Sequence, residues 1–229
     1  MKKIAIIVAG GSGQRMNSAV AKQFLLLQNK PILFHTLTAF KKADPSIELI
    51  VVLPSNQMDY WKELCEKYPE ILESTPHHIV AGGETRFHSS KNAIESIQTS
   101  EDALVAIHDG VRPLIEPQTI QQAFECAKNL GNCVVAVSSK DSIRIWNESK
   151  KAFISVLRDD VKIIQTPQIF SLITLKKAFD QDYSPGFTDD ASVVEAYGEV
   201  IHLTEGEYTN IKITTPDDLL VAENIIQPK

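Results

Sequence analysis

Short, unbroken apolar runs alternate with segments of helical periodicity along most of this chain, and no other feature narrows its fold as much. Ile4–Val8 is the first run, and Ile47–Leu53, His78–Ala81, Ala103–Ile107 and Cys133–Val137 repeat the pattern. A strand covered on both faces reads this way, because neither side of its pleat meets water. Such strands, separated by helices, pair in parallel. The expectation is an α/β fold with a mostly parallel central sheet, and the 229 residues suffice for one domain over 1–229.

The intervening segments carry helix boundary signals. Pro31 is placed at the first helical position before Ile32–Lys42, and Asp44-Pro45 stops that helix. Pro117 opens Gln118–Asn129, and Gly131 is suited to end it. Thr215-Pro216-Asp217-Asp218 reads as a cap, a first-turn proline and acids that favour the helix dipole, with Leu219–Ile226 as the last helix. One stretch breaks the rhythm. Within Ser142–Ile164, two alternating runs flank the polar turn Asn147–Lys151, which predicts a β-hairpin. A lone hairpin with apolar residues on both faces needs cover. It is therefore expected to be an arm, over residues 139–163, packed on a second copy of the chain; the alternative is a hairpin folded back on its own sheet.

Composition removes several classes. A net charge of −6 argues against a general nucleic-acid binder. No apolar run approaches the ~20 residues of a membrane span, and Ile4–Val8 is too short for a signal-peptide core. Cys65, Cys126 and Cys133 form no CxxC pair, so neither a disulfide framework nor a zinc site is indicated. The expected setting is the cytoplasm.

After the first run comes Ala9-Gly10-Gly11-Ser12-Gly13-Gln14-Arg15-Met16. Glycines after a strand let the backbone turn sharply and bring its N–H groups close to a phosphate. Two common motifs fail. There is no Gly-Lys pair for a P-loop, and Met16 stands where a dinucleotide fingerprint needs glycine. Instead Arg15 and, a short segment later, Lys22 supply cations that could neutralise a triphosphate and its transition state. A tight turn with solvated cations is the bland alternative.

Ala9–Met16 followed by Lys22-Gln23-Phe24 resembles the signature of the sugar-phosphate nucleotidyltransferases, and within them the 2-C-methyl-D-erythritol 4-phosphate cytidylyltransferase family. That family usually has proline where this chain has Ala21. Later segments match in order. Gly82-Gly83-Glu84-Thr85-Arg86 with Ser89 is similar to the family's cytosine-reading segment; a Gly pair before a helix and a hydroxyl one turn on can offer the donors and acceptor cytosine requires. His108-Asp109-Gly110-Val111-Arg112-Pro113 lies at a strand's carboxyl end, where α/β folds bind ligands. Asp109 could hold Mg²⁺ or a substrate hydroxyl, Arg112 could grip a phosphate, and His108 is read as structural. Ser142, Arg158, Thr166-Pro167-Gln168, Thr188-Asp189-Asp190 and Lys212 complete the resemblance, with Asn210–Thr214 expected to be a strand and Thr188 a helix cap.

The resemblance implies a Rossmann-like three-layer sandwich with a protruding dimerisation hairpin. It implies transfer of CMP from CTP to 2-C-methyl-D-erythritol 4-phosphate, with pyrophosphate released and Mg²⁺ as cofactor. Implied catalytic residues are Arg15, Lys22, Arg158 and Lys212. Ala9, Gly10, Gly11, Ser12, Gly13, Gly83, Glu84, Arg86, Ser89 and Asp109 would bind CTP. Asp109, Arg112, Ser142, Arg158, Thr166, Thr188 and Lys212 would bind the acceptor, with Ser142 and Arg158 reaching in from a partner subunit. Ribitol 5-phosphate as acceptor and a non-catalytic nucleotide-binding module remain alternatives. A glycosyltransferase would want an Asp-x-Asp at a strand end, and Asp180-x-Asp182 follows a helical stretch instead.

Overall fold

A computed structural model describes residues 1–10 and 20–226. Its centre is a seven-stranded sheet. The strands are β1 (Lys2–Val8), β4 (Glu48–Leu53), β5 (His77–Ala81), β6 (Ala103–Asp109), β7 (Asn132–Ser138), β10 (Lys162–Ser171) and β11 (Leu203–Glu205), in spatial order β11-β7-β10-β6-β1-β4-β5. Every pairing is parallel except those of β10 with β6 and β7. Two short strands, β2 (Leu26–Leu27) and β3 (Lys30–Pro31), form a small hairpin, and β8 (Arg144–Asn147) and β9 (Ala152–Ser155) form another. The helices are α1 (Ile32–Ala43), α2 (Met58–Lys67), α3 (Glu70–Ser74), α4 (Arg86–Ser96), α5 (Pro117–Leu130), α6 (Leu172–Ala178), α7 (Asp190–Ala196) and α8 (Pro216–Ile226).

The pleat explains the three layers. Ala5, Ile7, Leu49, Val51, Leu104 and Ala106 face a core shared with α1, α2 and α5, whereas Ile4, Ile6, Ile50, Val52, Val105 and Ile107 face one shared with α4, α6 and α7. Both faces of the central strands are buried, which is why their sequence is continuously apolar. Gly131 closes α5 in the left-handed region at φ 88°, as its glycine anticipated. Pro31 ends β3 and precedes α1 instead of occupying its first turn. Ala21 has φ −60° and ψ 138°, the backbone a proline would take, so alanine replaces it there without altering the turn.

Two elements differ from expectation. Strand β10 threads between β6 and β7 with a register shift between Ile164 and Gln168. It has no apolar signature because Gln165, Thr166 and Gln168 are buried as polar groups at that irregularity. Asn210–Thr214 is not a strand; it is irregular chain docked by the Ile213 amide on the Val111 carbonyl at 2.9 Å.

The β8–β9 hairpin pairs with no strand of the central sheet. Trp146 meets Phe153 edge-on, yet both are exposed, and Leu157 beyond them is 74% exposed. Among the described residues no helix is long and apolar enough to cross a membrane.

Candidate active site

The carboxyl ends of the parallel strands border a cleft with two lobes. The first is lined by Val8, Ala9 and Gly10 after β1, by Lys22 and Gln23, by Gly83, Glu84, Thr85, Arg86 and Ser89 around the start of α4, and by Asp109 and Lys212. The second is lined by Arg112, Gln165, Thr166, Gln168, Thr188 and Asp189. Arg86, Asp109 and Lys212 line both lobes and so form the partition between them.

The first lobe is built by short polar ties. Gln23 is buried and donates from Nε2 to the Ala9 carbonyl at 2.8 Å and to Gln57 Oε1 at 2.6 Å, which pins the Lys22–Phe24 turn against the end of β1. Lys22 is thereby held at the lobe with its side chain mostly buried. Ser89 Oγ accepts from the Gly83 amide at 3.1 Å. A Cβ at Gly83 would lie 2.4 Å from that of His88, so glycine is required for this close approach. Thr85 caps α4 by accepting from the His88 amide.

Asp109 organises the partition. Oδ1 accepts from Arg86 Nη1 at 2.9 Å; Oδ2 takes Lys212 Nζ at 3.0 Å and Arg112 Nε at 3.2 Å. Burial alone would raise the Asp109 carboxyl, but Arg86, Lys212 and Arg112 outweigh it and hold it well below the carboxylate range. Arg86 reaches on to Asp190, and its guanidinium is held above its ordinary value by the two carboxylates despite burial. Arg112 also donates from Nη1 to the Asn210 carbonyl at 2.8 Å. Three cations against two carboxylates leave the cluster net positive, which suits anionic substrates.

Behind the partition runs a buried relay. The Asp109 amide donates to Thr166 Oγ1 at 3.1 Å, and that hydroxyl lies 3.0 Å from His108 Nδ1. His108 Nε2 lies 3.3 Å from the Arg112 carbonyl. One assignment satisfies every group: Thr166 donates to Nδ1, and Nε2–H donates to Arg112. Burial pushes His108 down to about 3, so the imidazole is neutral near pH 7 and positions its neighbours without exchanging protons.

The remaining sequence candidates fall into three groups. Gly11, Ser12, Gly13 and Arg15 lie outside the described residues. Thr188 lines the second lobe, but the cap of α7 is Asp189; it sits at φ −152° and its side chain accepts from the Ser192 amide, while its own amide donates to Ser192 Oγ. Ser142 and Arg158 line neither lobe; both are exposed near the hairpin, and Arg158 Nη1 donates to the Lys140 carbonyl at 3.1 Å. Sequence reasoning assigned no role to Gln23, Gln168, Asp190 and Asn210. Each is a polar side chain in a segment already singled out, and each proves buried. Only their burial distinguishes them, and a single sequence does not display it.

No group of three His, Cys, Asp or Glu side chains among the described residues could cage a metal. A hard cation such as Mg²⁺ would therefore be carried mainly by phosphate oxygens, with Asp109 as the carboxylate that could hold it.

Known proteins resemble this chain over nearly its whole length. Residues 3–228 match the IspD family, described as 2-C-methyl-D-erythritol 4-phosphate cytidylyltransferase. A Bacteroides thetaiotaomicron protein of that name is 44% identical over 226 residues, covering 99% of this chain and 100% of its own. A Clostridium botulinum protein of the same name is 36% identical, covering 99% and 98%. The crystal structure of 4-diphosphocytidyl-2C-methyl-D-erythritol synthase from Anaerococcus prevotii superposes with a TM-score of 0.82 at 27% identity, covering 99% of each chain.

Proposed function

The chain belongs to the 2-C-methyl-D-erythritol 4-phosphate cytidylyltransferase family, and on that premise we propose how its residues divide the transfer of CMP from CTP to 2-C-methyl-D-erythritol 4-phosphate. The observation that carries this reading is the partitioned cleft, two lobes sharing Arg86, Asp109 and Lys212.

The first lobe takes CTP. Gly83 and Ser89 face the cytosine, with Glu84 and Arg86 beside it. Ala9, Gly10, Gly11, Ser12 and Gly13 follow β1 and hold the triphosphate, and Lys22 closes on it. The second lobe takes the acceptor, its phosphate held by Arg112 and Lys212 with Thr166 lining the wall, and its alcohol end towards Thr188. An oxygen of the acceptor phosphate attacks the α-phosphorus of CTP in line. The new Pα–O bond forms as the bond from Pα to the bridging oxygen of the β-phosphate breaks, and pyrophosphate leaves with both electrons.

A phosphate monoester is already anionic near neutral pH, its second pKa being about 6. No covalent intermediate or general base is needed. The work is to bring two polyanions together and offset their repulsion. Lys22 and Arg15 meet the charge on the α-phosphate and the leaving pyrophosphate; Lys212 and Arg112 hold the nucleophile. Asp109 aims three cations by its fixed position between the lobes. Asp109 is the residue that would hold Mg²⁺, which would neutralise phosphate charge.

The acceptor lobe is completed by a second copy of the chain. The exposed faces of β8 and β9 need cover, and Phe153 is 62% exposed in the single chain. Buried there, the arm would carry Ser142 and Arg158 to the partner's acceptor. Reduced thiols at Cys65, Cys126 and Cys133 suit a cytoplasmic enzyme.

Incubation with CTP, Mg²⁺ and either 2-C-methyl-D-erythritol 4-phosphate or ribitol 5-phosphate, followed by pyrophosphate release, tests the reading. Rapid release with the first acceptor alone supports it. Release with ribitol 5-phosphate alone reassigns the acceptor, and none with either refutes it.

A further inference from the structure

Asp190 lines neither lobe, yet it ties both together. It is buried at the first position of α7, two residues after Thr188 of the acceptor lobe. Its Oδ1 accepts from Ser90 Oγ at 2.6 Å, and its Oδ2 pairs with Arg86 of the partition. Arg86 and Ser90 are four residues apart on one face of α4, so a single carboxylate clasps the first turn of that helix. A second pair of bonds fixes α7 from the other side. Gln168 accepts from the Ala191 amide at 2.8 Å and donates to Asp189 Oδ2 at 2.8 Å. The start of α7 is thus held at once to β10 beside Thr166 and to α4 beside Ser89.

We propose that Asp190 is a positioning residue that keeps the acceptor lobe in register with the nucleotide lobe by holding Arg86 and Ser90 across the partition. This rests on the reading of the lobes as acceptor and CTP sites. In-line attack tolerates little displacement between its reactants; a shift of about 1 Å can cost about 100-fold in rate. A buried carboxylate with two partners on one helix and its own backbone on the other supplies that register. Asparagine in its place keeps the volume and the bond from Ser90, but it turns an N–H group or a neutral oxygen toward Arg86.

The test compares steady-state constants for both substrates in the full-length protein. Thr188→Val is expected to raise the acceptor KM alone, and Ser89→Ala the CTP KM alone. Asp190→Asn should raise both and lower kcat, by roughly 10-fold in total efficiency. Ser90→Ala should move both KM values in the same direction, by less. Combining Asp190→Asn with Arg86→Lys should cost no more than the worse single variant, as for residues acting as a unit. A folded Asp190→Asn protein with both KM values and kcat unchanged would overturn the proposal while leaving the function intact. If Asp190→Asn fails to fold, Ser90→Ala decides, and unchanged constants there are equally fatal. Loss of pyrophosphate release in the wild type would instead count against the function itself.

Discussion

Lys212 and Arg158 are both assigned to the acceptor, and their surroundings differ. Lys212 is held 3.0 Å from a buried carboxylate that also binds Arg86 and Arg112, and a relay through Thr166 and His108 backs that carboxylate. Arg158 stands exposed beside a hairpin that pairs only with itself, with a bond to the Lys140 carbonyl. Lys212 is itself 43% exposed, yet its pairing with the buried Asp109 means that its ammonium has lost part of its freedom before substrate arrives, so less ordering cost remains on binding. A solvated arginine has not. In the proposed reading, one chain builds the Lys212 half of the acceptor site, and the Arg158 half would acquire its order from a second surface.

The largest effect should come from the built region. Lys22→Ala is expected to lower kcat about 100- to 1,000-fold, with a much smaller rise in acceptor KM, in a steady-state assay of pyrophosphate release. Near-normal kcat would remove Lys22 from the chemical step. Asp109→Ala should strip three cations of their shared partner and cost about 3 kcal/mol of stability in urea unfolding. An unchanged midpoint would mean that the cluster is not the organiser described above. Arg158→Ala should leave the unfolding midpoint alone and reduce kcat/KM for the acceptor about 10-fold or more, with CTP KM unchanged. A matching loss of stability would place Arg158 in the built region after all.

A further effect is on pH. Burial lowers His35, His77 and His108 below the ordinary histidine value, and all three lie outside the hairpin. Each is neutral in the fold, so the unfolded chain takes up protons that the folded one refuses. Their contribution is complete above about pH 6.5 and is lost as pH falls below it, at about 1.4 kcal/mol per pH unit for each histidine that titrates. For His108 the loss continues to about pH 3. Urea midpoints that stayed flat from pH 7 to 5 would contradict neutral burial.

The same contrast explains what the sequence displayed. β1, β4, β6 and β7 were legible because burial on both faces leaves an unbroken apolar run. β10 was not, because Gln165, Thr166 and Gln168 turn polar groups into the interior at a register shift. Lys22, Asp109 and Arg112 stood out because their motifs combine charge with a strand end or a glycine turn, and Lys212 stood out by resemblance alone. Asp190 and Gln168 stayed hidden. Their role depends on which helix starts meet across the partition, and that is a property of topology. Thr188 seemed a sufficient cap for α7 until its neighbour Asp189 proved to have the extended backbone that capping needs.

The division of the acceptor site between two chains is tested most directly by subunit mixing. Lys22→Ala and Arg158→Ala proteins, each nearly inactive alone with limiting acceptor, are unfolded together, refolded at equal concentration and assayed for pyrophosphate release. A mixed dimer contains one site with an intact Lys22 and an intact Arg158 from its partner, so random pairing should restore about a quarter of the wild-type sites. Activity that stays at the mean of the two parents would contradict a shared site and return Arg158 to its own chain.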